Sequence, residues 1–362
     1  MNRPAEALFT PGPVTLPESV RQAAREPMVY HRTAAFSSTV TRCEWLLREL
    51  SGAGARERAL ILTASGTGAM EGTVLNLLPA GDTAIVVQGG DFGARFAEIC
   101  ACHGVHVRPV AVPPGASCGE EDLARVPAAG ASALLITHHE TSTGALHDLA
   151  AASRYCQKHG LLLIVDAIGS FLADPIDMAE LRIDALIFSS QKALALPPGL
   201  SFVVLSARAI ALTRSRIHRS YYFDFSRHLA DLERGQTPFT PAVGLILQLE
   251  KRLEEIFAEG VDRSVARVRH LAYHFRGLLD GLPYELFAAT PSNAVTALCP
   301  TDGRPATVHV AELHRRGFTV CPNGGALAEK IFRVGHLGAL TTQDNLALAL
   351  AMSPAASAAI NH

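Results

Sequence analysis

Short apolar runs recur along the first two thirds of the chain, separated by segments in which apolar residues have helical spacing. Seven such runs predict strands, at 59–63, 84–87, 105–110, 133–137, 161–166, 185–189 and 201–205. Several are continuously apolar rather than alternating, which is typical of strands buried on both faces. The pattern therefore predicts an α/β fold with a mostly parallel seven-stranded sheet and helices on both of its faces.

The rest of the chain changes in character after the last of these strands. An aromatic and basic stretch at 214–245 is predicted to be an extended loop, and two long helices follow at 242–258 and 262–280. Strands near 294–299, 317–321 and 329–334 indicate a small α+β unit, and the Ala-rich stretch 350–360 predicts a frayed helix. We expect an N-terminal arm at 1–16, a large domain at 17–250 and a small C-terminal domain at 251–362.

Composition and charge narrow the class of protein. Of the 362 residues 48% are hydrophobic, which allows a sizeable core, and the net charge is −2 without a basic block. This argues against nucleic acid or an anionic membrane surface as a partner. No apolar run is long enough to span a membrane, and the first six residues lack the order of a signal peptide, so we expect a cytoplasmic protein.

The cysteines predict a reducing environment and no metal site. There are seven, an odd number scattered along the chain, which suits free thiols. Cys100 and Cys102 precede His103, but no second pair follows at the spacing of a zinc site. We therefore expect no bound metal.

Lys192 is the first candidate for chemistry. It follows the apolar run 185–188 and a small polar turn, and a Pro-Pro-Gly turn at 197–199 stops the chain from continuing as a strand. A lysine in such a pocket is partly desolvated, which favours the neutral, nucleophilic amine. Two interpretations stay open at this point: a lysine that forms a Schiff base, or a surface lysine at the end of a strand.

Two further features supply partners for a cofactor. Ser65-Gly66-Thr67-Gly68 leads from a strand into a helix, whose free amides favour a phosphate; it lacks the third glycine and the following acidic residue of a dinucleotide site. Asp166 ends the most apolar strand, where it could pair with a protonated ring nitrogen. Alone, the first feature could be a tight turn, and Asp166 could cap the turn that follows it.

The three features together match one cofactor. Lys192 follows Asp166 by 26 residues, enough for one crossover to a neighbouring strand. A lysine for an aldehyde, an aspartate for a pyridinium nitrogen and a helix end for a phosphate are the groups that bind pyridoxal 5'-phosphate. The sequence therefore predicts an enzyme that uses this cofactor.

Segments over nearly the whole chain resemble those of one family. The sequence is similar to class V, fold-type I aminotransferases that depend on pyridoxal phosphate, in particular the alanine–glyoxylate and serine–pyruvate aminotransferase group. The matching segments, in family order, are TPGP at 10–13, SGTGAME at 65–71, GDFGARF at 90–96, ETSTG at 140–144, VDA at 165–167, SSQK at 189–192 with PPG at 197–199, TPFTP at 237–241 and IFRVGH at 331–336.

The resemblance implies roles for individual residues. The catalytic pair would be Lys192, forming the Schiff base, and Asp166, at the ring nitrogen. The implied cofactor contacts are the phosphate ligands Ser65, Gly66, Thr67 and Gln191, the ring-stacking Phe92, and Ser142 at the ring hydroxyl, with Thr141 and Thr143 as its rivals.

The resemblance also implies an active site shared between two subunits. Thr240, helped by Tyr222, would contact the phosphate bound by a partner chain, so a homodimer is expected. Arg333 would hold the substrate carboxylate through two parallel hydrogen bonds, completed by main-chain amides near Gly12. His31 and Arg32 lie in a segment that relatives place near the mouth of the site, where a substrate contact and a structural ion pair are both open.

The implied reaction is transfer of an amino group from an alanine- or serine-like amino acid to a glyoxylate- or pyruvate-like 2-oxo acid. The segment 321–327 departs from the glycine-rich, lysine-containing pattern of the family. Two alternatives therefore stay open: a lyase, replacement or carbon–carbon bond-forming enzyme of specialised metabolism on the same scaffold, and a binding protein without catalysis. The sequence does not rank the amino donors or acceptors.

Overall fold

The computed structural model describes residues 7–217 and 219–353. The strands are β1 (Ala7–Phe9), β2 (Arg58–Leu62), β3 (Thr83–Gln88), β4 (His106–Ala111), β5 (Ala131–Thr137), β6 (His139–Glu140), β7 (Ala145–Leu146), β8 (Leu162–Asp166), β9 (Ala185–Ser189), β10 (Ser201–Leu205), β11 (Tyr284–Leu286), β12 (Val295–Pro300), β13 (Phe318–Pro322) and β14 (Phe332–Gly335). The helices are α1 (Glu18–Ala23), α2 (Ala34–Leu50), α3 (Gly66–Leu77), α4 (Asp91–Cys102), α5 (Glu120–Ala124), α6 (Leu149–His159), α7 (Ala207–Ser215), α8 (Phe225–Leu232), α9 (Val243–Glu259), α10 (Val261–Gly277), α11 (Ala306–Arg315) and α12 (Thr342–Met352).

The larger sheet has seven strands in the order β2-β10-β9-β8-β5-β3-β4. Strand β10 runs antiparallel to both of its neighbours, and the other pairs are parallel. The prediction of a mostly parallel seven-stranded sheet is confirmed. Because β8 and β9 are adjacent and parallel, their carboxyl ends lie at the same edge of the sheet. Asp166 is the last residue of β8, and Lys192 follows the end of β9 by three residues.

Helices cover both faces of this sheet, as predicted. Alternate residues of each strand enter different cores: Leu60 and Leu62 pack with α3, α4, α7 and α8, whereas Ala59 and Ile61 pack with α2, α6 and α9. Burial on both sides explains why the strand sequences are apolar at every position. Within the described ranges, every helix is too short or too polar to cross a bilayer.

A second sheet has five strands in the order β1-β13-β14-β12-β11. Its core includes Phe9, Phe275 and Phe332, and α10, α11 and α12 pack on it. Strand β1, from the predicted N-terminal arm, pairs in parallel with β13. The predicted boundary at 250 falls inside α9, and the division into two domains stays a prediction.

The stretch 214–245 is not an extended loop throughout. Helix α8 lies within it, so the loop prediction is wrong for Phe225–Leu232. The side chain of Asp224 accepts a hydrogen bond from the Arg227 amide at 3.2 Å and caps this helix. Phe225 and Leu229, one turn apart, are buried against the large sheet. A helix was predicted at 350–360. Residues 350–352 form the end of α12, and residues 354–362 lie outside the described residues.

Candidate active site

Asp166 is buried at the carboxyl end of β8. Its Oδ1 accepts a hydrogen bond from the Ile168 amide at 2.9 Å, and its Oδ2 accepts one from Thr137 Oγ1 at 3.3 Å. Burial raises the pKa of this carboxyl from 3.8 to about 6, although the two hydrogen bonds oppose the shift. A cation placed against Asp166 would recover the free energy that burial costs the carboxylate.

Lys192 starts the turn after β9. Ser190 fixes this turn, because its hydroxyl donates to the Pro197 carbonyl at 2.7 Å and accepts from the Leu200 amide at 3.3 Å. Burial lowers the pKa of Lys192 from 10.5 to about 8; the attraction of Asp166 opposes this and the repulsion of Arg333 adds to it. More of this amine is therefore neutral near physiological pH than in an exposed lysine, which favours its action as a nucleophile.

The N-terminal segment closes one side of the lysine. Gly12 has a φ of +132°, and a Cβ at this position would lie 2.7 Å from both the Gln191 carbonyl oxygen and Lys192 Cδ. Only glycine combines this backbone conformation with this approach. The structure therefore brings Gly12, Gln191 and Lys192 together.

The predicted phosphate turn lies against the strand end that carries Asp166. Ser65 caps α3, since its hydroxyl accepts from the Gly68 amide at 3.2 Å and its carbonyl accepts from the Ala69 amide at 3.2 Å. A Cβ on Gly66 would lie 2.4 Å from Ile168 Cδ1. Within the described residues, no acceptor is bonded to the amides of Gly66 and Thr67, which are thus free to bind an anion.

Glu140 joins the start of α4 to Ser142, and no separate role was predicted for it from the sequence. Its buried carboxylate accepts hydrogen bonds from the amides of Phe92 at 3.2 Å and Gly93 at 3.0 Å and from the Ser142 hydroxyl at 2.6 Å. The N-cap residue Gly90 has no side chain to cap α4, so Glu140 does this from another strand. The available signal was a carboxylate three residues after the end of an apolar strand.

The Ser142 hydroxyl is already engaged with the protein. It donates to Glu140 and accepts from the Asp91 amide at 3.1 Å. One acceptor lone pair is left for a cofactor hydroxyl. Its rival Thr143 donates to the Glu140 carbonyl at 3.3 Å. The role predicted for Ser142 stays a prediction.

Arg333, on β14, lies near Lys192 and contacts the segment that follows Glu140. Its Nη1 donates to the Thr141 carbonyl at 3.2 Å, and its Nη2 donates to the Pro322 carbonyl at 2.6 Å and to Cys321 Sγ at 3.0 Å. These acceptors are uncharged, and in the described part of the chain no carboxylate lies within ion-pair distance of Arg333. The positive charge is therefore available to a substrate carboxylate.

Two of the predicted substrate residues lie elsewhere. Arg32 Nη1 donates to Gln236 Oε1 and to the Thr237 carbonyl, both at 2.8 Å, and so ties the start of α2 to the 235–241 segment. His31 packs on Tyr30 with ring centroids 5.1 Å apart. The structure does not bring either residue to Lys192, and their role toward substrate stays a prediction.

The residues predicted to serve a partner chain lie at the surface. Thr240 is exposed and lines a groove with Met28. The Tyr222 hydroxyl donates to the Thr63 carbonyl of its own chain at 2.9 Å, and its ring stacks on Phe239 at 5.2 Å. Thr63 is two residues before Ser65, so this segment lies close to the phosphate turn.

A profile of the family described as "Aminotransferase class-V" matches residues 16–310. The chain belongs to the class-V aminotransferases. It is 34% identical to "Soluble hydrogenase, small subunit" of Synechococcus sp. (strain PCC 6716), over 95% of this chain and 91% of the relative. It is 33% identical to "L-aspartate--glyoxylate aminotransferase" of Paracoccus denitrificans (strain Pd 1222), over 92% and 87%. A solved structure from Thermus thermophilus, titled as aspartate aminotransferase of subgroup IV, is 33% identical, covers 95% of this chain and 97% of its own, and has a TM-score of 0.89.

This class-V aminotransferase is an enzyme whose cofactor is pyridoxal phosphate. The residues present fit that cofactor. Lys192 supplies a partly neutral amine, and the start of α3 supplies two free amides. Asp166 supplies a buried carboxylate that, among the described residues, has no cation within ion-pair distance, although Lys192 is near enough to attract it. The fold-type I architecture and the cofactor expected from the sequence are thus confirmed.

Proposed function

We propose that this aminotransferase moves the amino group of a small, alanine- or serine-like amino acid to a small 2-oxo acid such as glyoxylate or pyruvate. The observation that carries the proposal is the approach of Arg333, on β14 of the five-stranded sheet, to Lys192 and Asp166 at the carboxyl ends of β9 and β8 in the large sheet. Relatives named for aspartate, serine and alanine as donors share glyoxylate in their names, which supports glyoxylate as the acceptor.

Lys192 is the residue that moves protons. Its amine would hold the cofactor through the carbonyl carbon. Once the substrate is bound, Nζ would be the group that takes the proton from Cα of the amino acid and holds it for return. Bound pyridoxal phosphate supplies an electron-withdrawing ring that stabilises negative charge at Cα. A pKa near 8 suits both the uptake and the return of the proton.

Asp166 sets the protonation of the ring nitrogen. Its carboxylate is buried and held in place by Ile168 and Thr137. A protonated ring nitrogen placed against it would be stabilised by this carboxylate and would stabilise the carboxylate in return.

Arg333 orients the substrate. The guanidinium has five N–H groups in all, and its three hydrogen bonds in the protein go to neutral carbonyl or thiol acceptors. A carboxylate would exchange with these weaker acceptors and bind through two parallel bonds. Fixing the carboxylate fixes the direction of the Cα–H bond, which has to point toward Lys192.

We infer a homodimer that works in the cytoplasm. Large apolar side chains are exposed near the 235–241 segment, including Met28 (74%), Tyr30 (66%) and Tyr221 (71%), and a second subunit would cover them. The seven cysteines are free, which suits a reducing compartment. Light scattering that gives the mass of one chain would contradict the dimer.

The hydrogenase name belongs to the relative. In the described part of this chain, no group of three or more His, Cys, Asp or Glu side chains could hold a metal ion. No observation on this chain therefore favours a second function of that kind.

A spectral screen of the holoenzyme tests the proposal. Alanine, serine or aspartate should convert the absorbance of the lysine-bound cofactor into that of pyridoxamine phosphate and release one 2-oxo acid per site; glyoxylate or pyruvate should restore it. Cleavage or replacement products without pyridoxamine phosphate would instead favour the lyase, replacement or carbon–carbon bond-forming alternative. Lys192→Ala should lose the original band, and Lys158→Ala, an exposed lysine, should keep it.

A further inference from the structure

One cation of the site has no role so far. Arg95 lies on α4, three residues after Phe92 and on the same face of the helix. Its guanidinium carbon is 4.6 Å from the centroid of the Phe92 ring. Its Nη1 donates to Thr67 Oγ1 at 3.3 Å. Arg95 therefore links the start of α4 to the start of α3, where the two free amides lie.

Arg95 lacks a charged partner in the protein. In the described residues no Asp or Glu lies within ion-pair distance of it, and it is only partly exposed. A partly buried guanidinium with one neutral acceptor leaves most of its donors unused. Its position and its charge both suit an anion bound at the first turn of α3.

The phosphate expected at that turn needs a cation. The residues assigned to it from the sequence are Ser65, Gly66, Thr67, Gln191, Tyr222 and Thr240, all of them neutral. A phosphate monoester carries a charge of about −1.5 to −2 at neutral pH, more than the roughly half charge of a helix N-terminus can balance. Lys192 cannot serve, because it bonds to the carbonyl carbon.

We propose that Arg95 binds the cofactor phosphate together with the amides of Gly66 and Thr67. This rests on the cofactor and the phosphate turn described above, and not on which amino acid is the donor. In this arrangement the guanidinium donates to phosphate oxygens with its free N–H groups and keeps its stacking contact with Phe92. One side chain then joins the group that holds the phosphate to the ring expected to stack on the cofactor.

The experiment compares two cofactors that differ only in the phosphate. Apoenzyme is titrated with pyridoxal phosphate or with pyridoxal, and binding is followed by the absorbance of the lysine-bound form. Arg95→Gln should lower the affinity for pyridoxal phosphate by about tenfold to a hundredfold, which is the value of one charge-assisted hydrogen-bond pair. The affinity for pyridoxal should change by less than about twofold. Arg95→Lys should recover part of the difference.

A matched control and a second readout make the result decisive. Arg42 also lies over an aromatic ring three residues away on a helix, 4.8 Å from the Trp45 centroid, and Arg42→Gln should change neither titration. The ³¹P resonance of the bound cofactor should be independent of pH in the wild type and should titrate in Arg95→Gln. Equal weakening of both cofactors, or an unchanged ³¹P profile, would overturn the inference. Because these are binding measurements, they stand even if the enzyme proves not to transaminate.

Discussion

Glu140 accepts a hydrogen bond from the amide of Gly93 at 3.0 Å, across a gap of 47 residues in sequence. The carboxylate thereby replaces the missing side-chain cap of α4 and holds the backbone of Phe92. The placement of the expected ring-stacking residue thus depends on a residue for which the sequence predicted no cofactor contact.

Replacing Glu140 by Gln should loosen this arrangement. In the wild type Glu140 Oε2 accepts from the amides of Phe92 and Gly93, and Oε1 accepts from the amide and the hydroxyl of Ser142. The Gln amide offers one acceptor oxygen where the carboxylate offers two, so either the α4 amides or Ser142 lose their acceptor. We expect a loss of about 1–3 kcal/mol in the free energy of unfolding and weaker binding of pyridoxal phosphate. Thermal unfolding and cofactor titration measure the two effects.

Glu44→Gln is the matched control. Glu44 is also buried and accepts a backbone N–H, from Ala59 at 3.2 Å, but it lies on α2. Its variant should lose stability and keep cofactor affinity. If Glu140→Gln behaved in the same way, the carboxylate would be a structural cap only.

Asp166→Asn should remove a pH-dependent loss in the free energy of unfolding of the apoenzyme. Burial raises the pKa from 3.8 to about 6, so between these values the folded state binds more protons than the unfolded state. Stability that depends on Asp166 is then highest below pH about 4 and falls as pH rises to about 6, by about 3 kcal/mol. Denaturant melts of the wild type and the variant across this range measure the difference.

The same substitution should reduce transamination, since Asn cannot stabilise a protonated ring nitrogen. Adding the cofactor should also shrink the wild-type loss of stability between pH 4 and 6, because the ring nitrogen supplies the missing cation. If the free energies of unfolding of the wild type and the variant changed equally with pH across this range, Asp166 would not be the source of the loss.

His147→Asn should make the protein more resistant to acid. Burial lowers the pKa of His147 from 6.5 to about 4, so the unfolded state binds the extra proton between these values. The wild type should lose about 3 kcal/mol of stability from this group as pH falls from 6.5 to 4. Asn keeps an acceptor for the Cys118 amide, which His147 Nδ1 binds at 3.0 Å, and does not titrate.

The control for this prediction is His106→Asn, because His106 is exposed. The free energy of unfolding of His106→Asn should fall with decreasing pH in the same way as that of the wild type. An equal shift in both variants would mean that acid unfolding is controlled elsewhere.

Arg333→Gln should separate carboxylate recognition from chemistry. Losing the guanidinium should lower kcat/KM for amino acids by about a hundredfold or more, which corresponds to about 3 kcal/mol. The slow reaction of a simple primary amine without a carboxylate should be unaffected. A similar loss with both kinds of amine would place Arg333 in the structure of the site and not at the substrate.

The sequence predicted those parts of the molecule whose signals are local. The strand that ends at Asp166 and the turn before Lys192 are continuous in the chain, and their order predicts both the sheet and the cofactor. The roles of Glu140 and Arg95 were missed because they arise from contacts that join distant segments, with Phe92 and Thr67 respectively. Helix α8 was missed although its apolar spacing is local, because the aromatic run that precedes it led to the prediction of an extended loop over the whole of 214–245.

The pairing of β1 with β13 has a consequence for how the protein is made. The ribosome synthesises Ala7–Phe9 first, yet its partner strand Phe318–Pro322 emerges only after some three hundred further residues. Gly12, which lies against Lys192, is only three residues beyond β1. All strands of the seven-stranded sheet precede β13 in the chain, so we expect a nascent chain to form that sheet before β1 can pair with β13 and Gly12 can close the pocket around the lysine.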